Sequence, residues 1–195
     1  MERNPILTIE TGHGRIRVEL YPRSAPNAVA SMIMITRQGL LNHREIRRIA
    51  PGFVIHPSFT CYDDERLTLE VPGEFAANGF MDGAVMREGS VAMGGDGKTL
   101  ASGSCFFFCL TDEAGASLQG KFPVIGQVIE GWDEVKRLEG VPARHFPIPG
   151  RDDVVVYIPI TPEYMETVTV ETFGVTYPEP EIVGHEEIPD FGDRT

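Results

Sequence analysis

The chain has 195 residues, enough for one domain with its own core. Its hydrophobic content of 42% is ordinary for a folding chain. Twenty-nine acidic against 17 basic residues give a formal net charge of -12, which excludes an electrostatic footprint for nucleic acid or anionic lipid.

In chain order, residues 5–11 read as a strand with Leu7 and Ile9 as apolar anchors. Gly12-His13-Gly14 is a turn, and Arg15-Ile16-Arg17-Val18-Glu19-Leu20 alternates with period two, which completes a hairpin. Ser24 is the expected N-cap of a helix carrying Ala28, Val29, Met32 and Ile33 at helical spacing, with Pro26 in its first turn and Gly39 as its stop. Next comes Arg47-Arg48-Ile49-Ala50-Pro51-Gly52-Phe53-Val54-Ile55, in which two arginines abut an apolar run broken by a bend. A guanidinium there can reach from the edge of a core into a groove; the plainer alternative is a surface partner for a carboxylate.

Residues 67–71 alternate again, and 90–93 read as a short strand. Residues 94–103 are rich in glycine and serine and predict a loop. Cys105-Phe106-Phe107-Phe108-Cys109-Leu110 is the most apolar run and reads as a central strand, with Phe107 facing opposite to Phe106 and Phe108. A strand at 122–129 and a short helix at 132–138 follow, the helix with Asp133 and Glu134 at its start and Gly140 at its end. Residues 141–162 form a proline-rich insertion with a strand at 154–157, and 167–172 are the last strand. From 178 to 195 the chain carries six acids, one arginine and three prolines, which predicts an extended tail. About eight strands with one early and one late helix predict a closed barrel, since closure removes exposed edges and the helices can cap the open ends.

Ala92-Met93-Gly94-Gly95-Asp96-Gly97-Lys98-Thr99 has a relaxed phosphate-loop spacing. That chemistry needs a helix directly after the loop, whereas serines and phenylalanines follow here, and Asp96 would repel phosphate. Cys61, Cys105 and Cys109 form no framework, which suggests a reducing, cytoplasmic setting. Cys105 reads as a small buried residue rather than a reactive thiol. The five histidines are scattered. No metal, cofactor, leader or membrane span is expected.

Several segments in order resemble the cyclophilin-type peptidyl-prolyl cis-trans isomerases, from about residue 7 to 172. They are Gly14-Arg15-Ile16-Arg17-Val18-Glu19-Leu20-Tyr21-Pro22 with Ala25-Pro26-Asn27-Ala28-Val29, then Arg48-Ile49-Ala50-Pro51-Gly52-Phe53 and Gly73-Glu74-Phe75 with Asn78-Gly79. Gly103-Ser104-Cys105-Phe106-Phe107 and Gly120-Lys121-Phe122 with Val124-Ile125-Gly126-Gln127-Val128 follow. The resemblance is to divergent, bacterial-like members. It implies a closed eight-stranded antiparallel barrel capped by two α-helices over residues 1–176, followed by the acidic tail at 177–195. It also implies an isomerase (rotamase) of X-Pro bonds, working in protein folding on proline-containing peptides or unfolded client proteins.

By position, Arg48 matches the family's catalytic arginine. Phe53, Val54, Phe107, Leu118 and Phe122 match walls of the proline pocket, and His56, Gly95 and Cys105 match its polar rim. His56 and Cys105 stand where the family has glutamines, Pro57-Ser58-Phe59 replaces a Gly-Gly-Asp run, Gly94-Gly95-Asp96 replaces an Ala-Asn-Ala-like stretch, Ser117 replaces a large residue such as tryptophan, and Phe122 replaces a histidine. The loss at Ser117 implies weak binding of the family's cyclic-peptide drug. A neutral His56 would support Arg48 and a charged one would repel it, so activity is expected to fall below about pH 6.5. The alternative is a catalytically weak or inactive module of the same fold that binds proline peptides. The bonds Tyr177-Pro178, Glu179-Pro180 and Ile188-Pro189 could themselves enter such a pocket.

Overall fold

The computed structural model describes residues 3–59, 64–81, 83–148 and 154–187. Cys61, the middle of the 141–162 insertion and Ile188-Pro189 lie outside the described residues. The chain opens with the expected hairpin, β1 (Ile6–Thr11) and β2 (Arg15–Leu20), paired antiparallel. Helix α1 (Pro26–Arg37) follows. Its N-cap is Ala25 rather than Ser24, and Ala25 supplies no side-chain bond. Glu74, from a distant loop, does so instead, accepting the backbone N–H of Asn27 at 2.8 Å and of Ala28 at 2.9 Å. Burial raises the Glu74 pKa, and those two bonds partly offset the rise. Ser24 donates to the Val124 carbonyl and accepts from the Ala84 N–H, tying loops together.

The remaining elements are β3 (Arg44–Glu45), β4 (Arg48–Ala50), β5 (Val54–His56), β6 (Leu69–Pro72), β7 (Ser90–Gly95), β8 (Leu100–Cys109), α2 (Asp112–Leu118), β9 (Val124–Glu130), α3 (Trp132–Glu139), β10 (Ala143–His145), β11 (Tyr157–Pro159), β12 (Tyr164–Glu171) and β13 (Gly184–His185). The expected closed eight-stranded barrel with two helices needs correction. Among the described residues one curled, open antiparallel sheet follows the path β10-β11-β4-β5-β8-β7-β9-β2-β1-β12-β3, with β6 branching from β8 and β13 pairing β6, and there are three α-helices. β3 and β4 are adjacent in sequence yet lie toward opposite ends of that path. The sheet therefore curls back on itself through the chain at Ile46 and Arg47 rather than through a closing ladder.

The extra helix, α2, is capped by Thr111, whose hydroxyl accepts from the Ala114 N–H. The loop expected over 94–103 is instead largely strand, because β8 begins at Leu100 and pairs with both β6 and β7. A side chain at Gly103 would press on Leu69 and Ser31, each 2.8 Å from its Cβ, so glycine lets α1 sit close against the sheet. The core holds Leu7, Ile9, Ile16, Val18, Met32 and Ile35 with Phe106 and Phe108, while Phe107 belongs to a second cluster with Val54, Ala92, Cys109 and Val124. The two faces of β8 divide as period two predicts.

The insertion forms a β10–β11 hairpin that adds to β4 through Tyr157 opposite Ile49. The tail expected from residue 178 on, too polar and charged to order itself, needs correction over its described part: Glu181 is bonded to Asn27 of α1, and β13 pairs with β6. Among the described residues no helix is long and apolar enough to cross a membrane, and no group of three or more His, Cys, Asp or Glu could hold a metal ion.

Candidate active site

Pro51-Gly52 turns β4 into β5, and Gly52 takes the positive φ of 71° that the bend requires. The register of this short hairpin sets Arg48 directly opposite His56. The Arg48 Nη1–H donates to His56 Nδ1 at 2.5 Å, and its Nε–H donates to the Val155 carbonyl at 3.1 Å. The guanidinium carbon also lies 5.3 Å from the centre of the Phe59 ring. Arg48 is 9% exposed and His56 8%. The arginine is thus held from three directions at the wall of a groove of about 490 Å³.

Because His56 Nδ1 accepts from a cation, its proton must sit on Nε2. Nε2 is buried, has no hydrogen-bond partner among the described residues, and lies beside Gly94, whose added Cβ would be 3.6 Å away. Burial, and secondarily the adjacent Arg48 charge, push the His56 pKa well below its usual 6.5. The ring is therefore neutral through the region where an ordinary histidine titrates, and the expected loss of activity moves to lower pH.

The floor is aromatic. His56 meets Phe107 edge-on at 5.0 Å and stacks on Phe59 at 5.6 Å, and Phe107 meets Phe122 edge-on at 5.6 Å. Phe53 and Leu118 pack against the same cluster. The groove brings together all nine residues singled out in the sequence: Arg48, Phe53, Val54, His56, Gly95, Cys105, Phe107, Leu118 and Phe122. Ser117, on α2, is not among the lining residues; its hydroxyl donates to the Ala114 carbonyl.

Sequence reasoning missed Phe59, Glu70, Ile148, Val154 and Glu186, which also line the groove. Phe59 is positioned by Ser58, which is tied to β8 on both sides: its hydroxyl donates to the Ser104 carbonyl and accepts from the Phe106 N–H. An aromatic three residues after His56 was a readable signal. The others come from distant segments, where nothing local marks them.

Asp96 settles the glycine-rich loop. Burial raises its pKa, but bonds from the Lys98, Leu100 and Thr99 N–H groups and the Thr99 hydroxyl outweigh that and hold it at about 2. The amides that a phosphate would need are occupied by this carboxylate, and strand β8 rather than a helix follows. Cys105 is buried, as expected. Cys109 is also buried; burial raises its pKa above the usual thiol value, which keeps it protonated.

The fold recurs in known proteins. A family profile described as "Cyclophilin type peptidyl-prolyl cis-trans isomerase/CLD" matches residues 6–160. A "Probable peptidyl-prolyl cis-trans isomerase" of Brucella suis is 26% identical over 151 residues, 71% of this chain and 72% of that protein. A "Peptidyl-prolyl cis-trans isomerase" of Helicobacter pylori is 28% identical over 126 residues, 62% of this chain and 71% of that protein. The crystal structure of a Cryptosporidium parvum cyclophilin type peptidyl-prolyl cis-trans isomerase, in the presence of the dipeptide Ala-Pro, superposes with a TM-score of 0.65 at 18% identity, covering 85% of this chain and 98% of that one. Together with the Arg48 hairpin and the aromatic floor, the matched span places this chain in the cyclophilin-type peptidyl-prolyl cis-trans isomerase family.

Proposed function

We propose that the groove isomerises X-Pro peptide bonds, with Arg48 favouring the twisted amide and His56 holding a substrate carbonyl. Rotation about a peptide bond meets a barrier of roughly 18–20 kcal/mol because twisting breaks amide resonance. As the bond twists, the proline nitrogen regains a localised lone pair and becomes a better acceptor. A positioned guanidinium that donates to it binds the twisted state more tightly than either planar one, and each 1.4 kcal/mol of that preference is worth about tenfold in rate. No nucleophile, proton transfer or metal is needed.

The observation that carries this reading is the buried Arg48–His56 pair above the ring floor. His56 orients the guanidinium through Nδ1, which leaves Nε2–H buried without a partner beside Gly94 of the groove wall. Leaving that donor unpaired costs about 1–3 kcal/mol, which a carbonyl of a bound peptide would recover. Phe53, Phe107, Leu118 and Phe122 are suited to hold the proline ring by apolar contact. The Ala-Pro dipeptide named with the Cryptosporidium structure supports the same class of ligand here.

The test is cis/trans exchange in an Ala-Pro-Phe peptide by NMR exchange spectroscopy. Wild-type protein should accelerate exchange, and Arg48→Ala should lose about a hundredfold of that acceleration while still shifting the peptide resonances. Peptide shifts with no acceleration by wild type would make the chain a proline-binding module. An Arg48→Ala variant as fast as wild type would remove Arg48 from its role.

A further inference from the structure

Among the described residues, three carboxylates line the groove against one guanidinium: Glu70, Asp96 and Glu186 with Arg48. The strand ladder places two of the acids together. Ala101, itself a lining residue, pairs with Val71 of β6 on one side and with Gly95 of β7 on the other. Glu70 precedes Val71 and Asp96 follows Gly95, so the two acids flank the same stretch of β8. Asp96 is fixed there by the Lys98, Thr99 and Leu100 N–H groups and by the Thr99 hydroxyl. The turn it holds lies against the aromatic floor, since a Cβ on Gly97 would come 3.7 Å from the Phe122 ring.

Glu70 is half-buried, and its carboxylate makes no hydrogen bond or ion pair among the described residues. A half-desolvated carboxylate without a partner gains from any cation brought beside it. The same groove holds a second unmet polar group. His56, 8% exposed, has no partner for Nε2, and Gly94 of the groove wall carries no side chain to cover it. One group suits a peptide carbonyl and the other suits a cation, so a basic peptide satisfies both. The apolar walls of Phe107, Leu118 and Phe122 limit screening by water, and the net charge of -12 attracts cations from further away.

We propose that the groove selects proline peptides carrying lysine or arginine within two residues of the proline and rejects those carrying aspartate or glutamate there, with Glu70 and Asp96 as the specificity-determining residues. This rests on the reading of the groove as a prolyl site. Rejection of acids contributes as much as attraction of bases, because like charges brought together in a groove are costly. The charge of a neighbouring side chain does not change as the amide twists, so the preference falls on KM and not on kcat. It also weakens with salt, which screens charges at the edge of a groove.

The experiment measures cis/trans exchange by NMR in two sets of acetylated and amidated Ala-Pro-Phe peptides, with Lys, Gln or Glu placed two residues before the proline or two residues after it. In at least one set KM should rise in the order Lys, Gln, Glu, by about tenfold from first to last at low salt and by less at high salt. Glu70→Gln should cut that ratio by about threefold, Glu70→Lys should cut it further, and Glu70→Asp should keep most of it. Asp96→Asn, which retains an oxygen for the loop amides, should cut it as well. Accelerated exchange with equal KM for all peptides in both sets would overturn the proposal and leave the prolyl-site reading standing. A ratio that survives both Glu70→Gln and Asp96→Asn would also overturn it, assigning the preference to the net charge of the chain. A Glu70→Gln variant that slows all peptides alike would make Glu70 structural and overturn its role. If no peptide is accelerated or shifts on titration, the prolyl-site reading itself fails and the proposal falls with it.

Discussion

The two faces of β8 carry three consecutive phenylalanines into different environments. Phe106 and Phe108 sit in the main core, their rings 5.9 Å apart and edge-on, among aliphatic side chains from β1, β2 and α1. Phe107, one residue away, turns to the opposite face, meets His56 and Phe122, and lines the groove. One strand thus packs the main core on one side and lines the groove on the other, and substitution should separate the two.

The largest effect belongs to the core face. Phe106→Ala should cost about 3–5 kcal/mol of stability, read as a lower denaturant midpoint, while the exchange rate per folded molecule stays near wild type. A variant that kept its midpoint but lost activity would reverse the assignment of the faces. Phe107→Ala should also cost stability, since Phe107 is 2% exposed, but it should in addition raise KM by about tenfold, corresponding to about 1.4 kcal/mol of lost ring contact. The smallest effect is at His56. His56→Gln can still accept from Arg48 and donate into the groove, so its activity should stay within a few-fold of wild type. His56→Ala loses both bonds and should fall about tenfold in kcat/KM. Equal activities for the two variants would break the link between the imidazole and the guanidinium.

The groove floor was legible in the sequence because it is built locally. Arg48 to His56 is a single short hairpin whose bend is written as Pro51-Gly52, and alternation along 105–109 assigns the phenylalanines without any tertiary knowledge. Resemblance to the family then supplied Leu118 and Phe122. Part of the rim was not legible, because Ile148, Val154 and Glu186 reach it from segments remote in sequence that carry no pattern pointing there. Leu100 to Gly103 read as loop from its composition, yet pairing with β6 on one side and β7 on the other overrides that propensity. Strands of two or three residues, such as β3, β4, β10 and β13, are too short to show a period, which is why the strand count and the closed barrel were misjudged. Helix α2 was overlooked because it is seven residues long with a glycine inside, although Thr111-Asp112-Glu113 carries a start signal.

The account turns on a neutral His56 holding Arg48 on one side and facing the substrate on the other. Burial and the arginine lower its folded pKa below the unfolded value near 6.5, so the neutral ring stabilises the fold above that value and the contribution is lost as pH falls below it. The most direct measurement is a long-range proton–nitrogen NMR correlation of the His56 ring, recorded from pH 8 down through about 6.5 with and without the Ala-Pro-Phe peptide. The account predicts a bare Nδ1 and a protonated Nε2 that persist through that range, with the Nε2 resonances moving when peptide binds. A ring that is already charged near pH 6.5, or that carries its proton on Nδ1, would contradict it.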